Sequence, residues 1–387
     1  MTYALIGLAL LATLAAAGIL LLRARTAART PAPPLARAAA LAARVPQAVS
    51  VPGTPKAGMA TITPQPAPTP MPDDLAAFRW AGPETLSTAR QQALVDAIRS
   101  LPRPPAALHQ LLSPQFLERA NSNELADLIT GEVRIAAKVL ATVNSPYYGL
   151  KQPVSGIGQA VTFLGLNTVR GICLQYLLDD SFKPGNPQLK QAYDQIWAAS
   201  ALASELCAQL STRLSIPDSG ALAAQVLLSF LGHLATAQLM LQQPGAAVPA
   251  ADLLARTRWA QDQLDLGAGE IGGLLLQEWG LPSAIVDEVR SIDRLLVTPA
   301  LTLPPQRSQR LAVAYLCARL GERLAQTDGT APADLTGYDL DSETGADFFH
   351  PRGHLAAPAL VRLNDHLQSA DLNRHLQTLR AAVLARP

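Results

Sequence analysis

The chain has 387 residues, 49% of them hydrophobic and 16% charged, enough apolar material for one large core or two smaller ones, which excludes an intrinsically disordered polymer. Its 31 basic and 30 acidic residues leave a formal charge of +1, so no general electrostatic pull toward nucleic acid exists. The cysteines, Cys173, Cys207 and Cys317, are too far apart for a metal knuckle and lie in apolar helical stretches, as small core residues of a reducing compartment do.

The first element is YALIGLALLATLAAAGILLL, Tyr3 to Leu22, which carries no charge. At about 1.5 Å per residue it spans roughly 30 Å, the hydrocarbon thickness of a bilayer, and it predicts a transmembrane anchor over residues 1–23. A cleaved signal peptide competes, because the Ala-rich end offers a small-residue cleavage site, but no basic residue precedes the apolar run. Arg23, Arg25, Arg29, Arg37, Arg44 and Lys56 all follow it. Positive charge stays on the cytoplasmic side, so the expected arrangement is a single pass through a bacterial inner membrane with a periplasmic N-terminus and a cytoplasmic soluble domain. Residues 24–73 are Ala- and Pro-rich, with eleven prolines between Pro31 and Pro72, and bury too little surface to offset their ordering entropy. They predict a disordered linker.

From residue 74 the pattern is helical. Thr85 or Ser87 caps a helix running to Leu101; Pro102, Pro104 and Pro105 force extended chain, and Ala106 starts the next helix. Asn121 or Ser122 caps ELADLIT, with Glu124 placed to close a capping box on Asn121. Gly131 interrupts, and a very apolar helix ends at Asn144, before Pro146 and Gly149. Helical stretches follow at 156–177, 187–213, 219–242, 249–278 and 282–295; 308–326 is amphipathic, 327–355 reads as loop and 359–384 as helix. No run alternates with period two, so the fold class is all-α, with a main helical domain over 74–304 and a C-terminal helical extension over 305–387.

Leu101-Pro102, AAKVLATVNSPYYGL, VSGIGQAVTFLGLNTVRGICL and IWAASALASELC, in that order, resemble the HD-related output domain (HDOD) of bacterial signalling proteins, over roughly residues 95–295. The motif positions are Asn144, Ser145, Tyr148 and Gly149, then Ala160, Leu164, Gly165, Val169 and Arg170. The chain departs from the family at Gly131-Glu132, where Asp-Pro is common. The resemblance implies a multi-helix domain similar to the metal-dependent HD phosphohydrolases with an eroded site. Where those enzymes carry Gly-Leu-Leu-His-Asp-Ile-Gly, this chain has Val226 to Gly232, so Ser229 and Phe230 stand at the metal-binding His and Asp. Ala268 and the pair Ile292-Asp293 occupy later histidine positions, while Trp279 to Pro282 (WGLP) is kept. A phenyl ring offers a metal no lone pair and a neutral hydroxyl is a poor substitute for imidazole. His233, four residues past Ser229, reads first as a structural histidine with its polar edge satisfied; as a shifted ligand it would lack partners.

Other chemistry is weaker. His350 and His354 have helical i, i+4 spacing, but Pro351 and Gly353 argue against a helix; His366 and His375 read as a solvated face, and His109 as packing. No Walker loop, nucleophile elbow or dinucleotide fingerprint is present, and Gly337-Tyr338-Asp339 shares only two letters with a phosphodiesterase motif. Asn144, Tyr147, Tyr148 and Arg170 are the candidate recognition residues, bordering a groove for a partner helix or a small anionic ligand. The competing reading has the tyrosines sealing a corner and Arg170 pairing with Glu132 or Asp179. The resemblance and the missing ligands together predict a non-catalytic, membrane-tethered signalling scaffold or output module, without metal or cofactor, whose partners are signalling or envelope-associated proteins. A degenerate HD-type phosphohydrolase with displaced ligands and a structural envelope protein are the alternatives.

Overall fold

The computed structural model describes residues 70–384 except 102, 105, 114–115, 117–120, 146–147, 183, 241–251 and 328–331. The predicted anchor Tyr3–Leu22, nearly all of the linker, and Tyr147 lie outside the described residues. Sixteen helices and several 3-10 turns follow one another among the described residues, with no strand. They are α1 (Asp73–Ala77), α2 (Thr88–Arg99), α3 (Ala106–Leu112), α4 (Ser122–Thr130), α5 (Val133–Val143), α6 (Ile157–Leu164), α7 (Leu166–Ser181) and α8 (Pro187–Arg213). Then come α9 (Ser219–Met240), α10 (Leu253–Leu264), α11 (Ala268–Glu278), α12 (Ser283–Arg294), α13 (Pro305–Ala325), α14 (Phe349–Leu355), α15 (Leu363–Leu367) and α16 (Ala370–Leu384).

The caps are largely those the residue types dictate. Ser87 accepts the Arg90 N–H to open α2, and Asn121 accepts from Asn123 and Glu124 while Glu124 reaches back, a complete capping box on α4. Four expectations need correction. The stretch read as helix over 359–384 is a short helix, α15, and a longer one, α16, parted at Gln368 and Ser369. The stretch at 156–177 is two helices, because Gly165 takes φ +86° between α6 and α7. The stretch at 249–278 breaks at Asp265, which turns left-handed at φ 65° and separates α10 from α11. The segment 327–355 ends in a real helix, α14, whose Pro351 is tolerated within the first turn, where no intrahelical N–H is required.

Two apolar cores share their central helices. Leu189, Tyr193 and Trp197 of α8 and Leu227, Leu228 and Leu231 of α9 enter the first, with Leu125, Val139, Leu174, Leu275 and Trp279. Other residues of the same helices, Leu202, Leu206 and Leu210, then Leu222, Val226 and Phe230, enter the second, with Tyr315, Leu316 and Phe348. Helix α9 therefore needs apolar residues all round, and the 83% burial of its most apolar stretch makes it a core helix although its composition alone would let it cross a membrane. The helix α13, from the predicted extension, lies along α8. A Cβ on Gly321 would come within 2.6 Å of the Ala199 carbonyl and the Ala203 methyl, so the two backbones approach closely there.

Candidate functional site

The segment Val226–Gly232 is the middle of α9. Ser229 is buried and donates its hydroxyl to the Val226 carbonyl at 2.7 Å, so its polarity is used up within its own helix. Phe230 is 1% exposed in the second core. Ala268 opens α11 with a methyl group, and Ile292 is sealed beside Phe230 in the same core cluster. Gly232, the last residue of the segment, is the crossing point of α9 and α11: a Cβ on it would overlap the Ala268 carbonyl, and one on Gly272 would lie 2.9 Å from the Gly232 backbone.

Of these positions only Asp293 keeps a donor suited to a metal. It is 2% exposed, with Oδ1 3.3 Å from Arg319 Nη2 and Oδ2 3.5 Å from His233 Nε2, the limit of useful contact. Arg319 also reaches Glu322 at 3.0 Å, and Arg256 donates to the same Glu322 oxygen at 2.7 Å. Five side chains from α9, α10, α12 and α13 thus form one ionic cluster, with Asp293 and Arg319 buried and His233, Arg256 and Glu322 half-buried, and the Arg319 guanidinium, 5.4 Å from the Tyr315 ring centre, sits between its two carboxylates. Burial alone would raise the Asp293 and Glu322 pKa values. The 3.5 Å contact with His233 and the charge of Arg319 at Asp293, and the charges of Arg256 and Arg319 at Glu322, outweigh that and hold both carboxyls below the usual range. Burial would likewise lower Arg319, but Glu322 and Asp293 raise it further.

An HD-type ion needs several nitrogen and oxygen donors converging on one open point. Among the described residues no group of three or more His, Cys, Asp and Glu meets that need. The Asp293 and Glu322 oxygens already face a cation belonging to the chain. The residues at this position do not fit the metal.

Three of the four predicted recognition residues lie among the described residues, and each has a place of its own in the packing. Asn144 is exposed, but its amide pins Val154, donating to the carbonyl at 2.8 Å and accepting from the N–H at 2.7 Å; it closes the loop after α5. Tyr148 packs against the first core, and burial, with Glu205 and Tyr176 nearby, pushes its phenol up. Arg170 is 3% exposed and pairs with neither Glu132 nor Asp179; it meets the start of α9 instead, where a Cβ on Gly220 would overlap its Nη2. The histidines also differ from expectation. His354 uses Nδ1 on Ser308 (2.7 Å) and Nε2 on the Thr298 carbonyl (2.8 Å), and His375 bonds Glu205 at 2.8 Å instead of facing solvent.

Sequence reading missed a cleft of about 730 Å³ between α11, α12 and α13. Leu274, Leu295 and Leu311 line it together with Arg290, Arg294 and Glu270. Glu270 is fully buried; it accepts the Trp80 indole N–H at 2.9 Å and pairs with Arg294 and, at 3.5 Å, Arg290. The tryptophan that follows the linker is thereby fastened to this wall.

The HDOD domain model matches residues 101–295, just over half of the chain. The chain belongs to the HDOD domain family. An HDOD domain protein of Geobacter sulfurreducens has the same fold at TM-score 0.51 and 18% identity, over 76% of this chain and 97% of that one. A Shewanella amazonensis protein whose given name proposes a phosphohydrolase is 16% identical over 76% of this chain and 98% of its own, at TM-score 0.47. An uncharacterized Treponema pallidum protein is 21% identical over 54% of this chain; the chain spans 40% of that protein's length. The HDOD match ends at Leu295, so Arg319 and Glu322, on α13, lie beyond it. The cation that pairs with Asp293 therefore comes from outside the matched segment.

Proposed function

We propose that this chain is a non-catalytic, membrane-tethered HDOD module that acts as a signalling scaffold or output element, holding protein partners at the cytoplasmic face of the inner membrane. The observation that carries this reading is the Arg319 guanidinium seated between Asp293 and Glu322; the resemblance aligns Ile292-Asp293 with a metal-ligand pair of the HD enzymes, and here that aspartate faces a cation of the chain itself. A buried carboxylate that already answers a fixed cation has little left to offer a second one. The Pro/Ala-rich linker supports the rest: a tether raises the local concentration of a captured partner without new contacts. The cleft beside Glu270, lined by Leu274, Leu295 and Leu311 together with Arg290 and Arg294, mixes apolar and charged groups as protein-contact surfaces do.

The test is hydrolysis and capture on the same full-length protein. Supplied with Mn²⁺, Fe²⁺, Ni²⁺ or Zn²⁺, the purified chain is expected to leave nucleoside phosphates and cyclic nucleotides intact, while crosslinking in cells through the Arg294 cleft captures a signalling protein. Metal-dependent hydrolysis that is lost in Asp293→Asn would establish the degenerate phosphohydrolase instead. Capture of cell-envelope assemblies alone would favour a structural role.

A further inference from the structure

Helix α9 begins without a cap. Asp218, at φ 55°, accepts the Leu222 N–H with its carbonyl, but the N–H groups of Ser219, Gly220 and Ala221 have no acceptor among the described residues. A helix start of this kind carries roughly half a positive charge. Against it stands Arg170 of α7, 3% exposed, with no hydrogen bond or ion pair among the described residues. A Cβ on Gly220 would overlap both Arg170 Nη2 and Asn167 Oδ1, so the guanidinium and the amide converge on the first turn of α9. Arg310 donates to the Pro217 carbonyl, one residue before the turn, and adds a second cation there. Burial lowers the Arg170 pKa with no opposing carboxylate; Asp218, the acid on that turn, is exposed and does not bond it.

Cation, helix dipole and unused N–H donors repel one another unless an anion joins them. Arg170 nitrogens are absent from the sealed, unpartnered atoms, so the edge of the guanidinium still reaches solvent and is open to a ligand. We propose that the junction of α7 and α9 is an anion site for a phosphoryl group, carried by a free phosphate ester or by a phosphomonoester lipid headgroup. Arg170 supplies the planar two-donor fork, the first turn of α9 supplies backbone N–H groups, and Asn167 turns its amide to donate. The site lies apart from the Asp293 cluster and does not depend on the chain being non-catalytic.

The test uses the full-length chain in a non-ionic detergent, titrated with inorganic phosphate, phenyl phosphate, or mixed micelles containing phosphatidic acid with phosphatidylcholine as control. Saturable stabilisation against heat is expected with at least one phosphoryl probe. Response to phenyl phosphate identifies a free ester, and response to phosphatidic acid alone identifies a headgroup. Arg170→Gln should weaken binding roughly tenfold or more, the scale of a lost charge-assisted bond. Asn167→Asp, at an exposed position that leaves the fold intact, should weaken it several-fold by opposing the anion. No saturable response to any probe overturns the proposal, and so does a response that both variants retain at full strength.

Discussion

Two arginines, both at least 95% buried, meet opposite circumstances in this molecule. Arg319 lies between Asp293 and Glu322, with Arg256 and His233 completing the cluster, while Arg170 faces the start of a helix with no counter-charge. The first arrangement is charge-paired: every charge has an opposite one from another helix or the next turn, and the cluster ties α9, α10, α12 and α13 together, although Arg319 Nε and Nη1 and Asp293 Oδ2 make no hydrogen bond. The second is open. A buried charge that the fold pairs with an opposite one is part of the structure, whereas one it leaves without a counter-charge marks a place where an anion can bind.

The largest expected effect comes from breaking the charge-paired cluster. Arg319→Met should cost about 3–5 kcal/mol, because it leaves the buried Asp293 with only the 3.5 Å contact to His233 while Glu322 keeps Arg256, and denaturant unfolding of the full chain measures it. A loss under about 1 kcal/mol would mean that the cluster is not sealed. The same cluster sets a pH response. Asp293 and Glu322 are held below their unfolded values, so unfolding takes up protons; their contribution is complete at neutral pH, begins to fade near the unfolded pKa of about 4, and is lost as pH falls through the lower folded values. The melting temperature should fall on acidification below about pH 4, and less steeply in the Asp293→Asn, Glu322→Gln double variant.

A comparable loss is expected from the first core. Trp279 is 6% exposed and packs against Phe182 at 6.1 Å between ring centres. Trp279→Ala should cost about 3–5 kcal/mol by the same unfolding measurement, and unchanged melting would show that the WGLP turn carries no packing. At the small end stands Asn121→Ala, which removes the capping box of α4 and should cost about 1 kcal/mol without touching either buried arginine.

Local rules made much of the fold legible in the sequence. Ser87, Asn121 with Glu124, and the stop after Asn144 were readable because caps and proline act within a few residues. The breaks at Gly165 and Asp265 were not, since apolar spacing continues across both and only the packed structure demands a left-handed residue there. At the candidate site, the substitutions Ser229, Phe230, Ala268 and Ile292 could be read by position, and each proves buried without donating to a neighbouring helix. The cluster itself could not. Arg319 and Glu322 lie 26 and 29 positions beyond Asp293 on a helix outside the HDOD match, and no periodicity links them. Asn144 and Arg170 were picked out together from the family motifs, but one pins Val154 and the other meets the start of α9, partners that no local rule names.

The most direct measurement is the metal content of the full-length protein after equilibrium dialysis against Mn²⁺, Fe²⁺, Ni²⁺ or Zn²⁺. With Arg319 occupying the space between the carboxylates, no ion should remain bound at one per chain. Retention of one ion per chain, abolished by Asp293→Asn, would contradict the account.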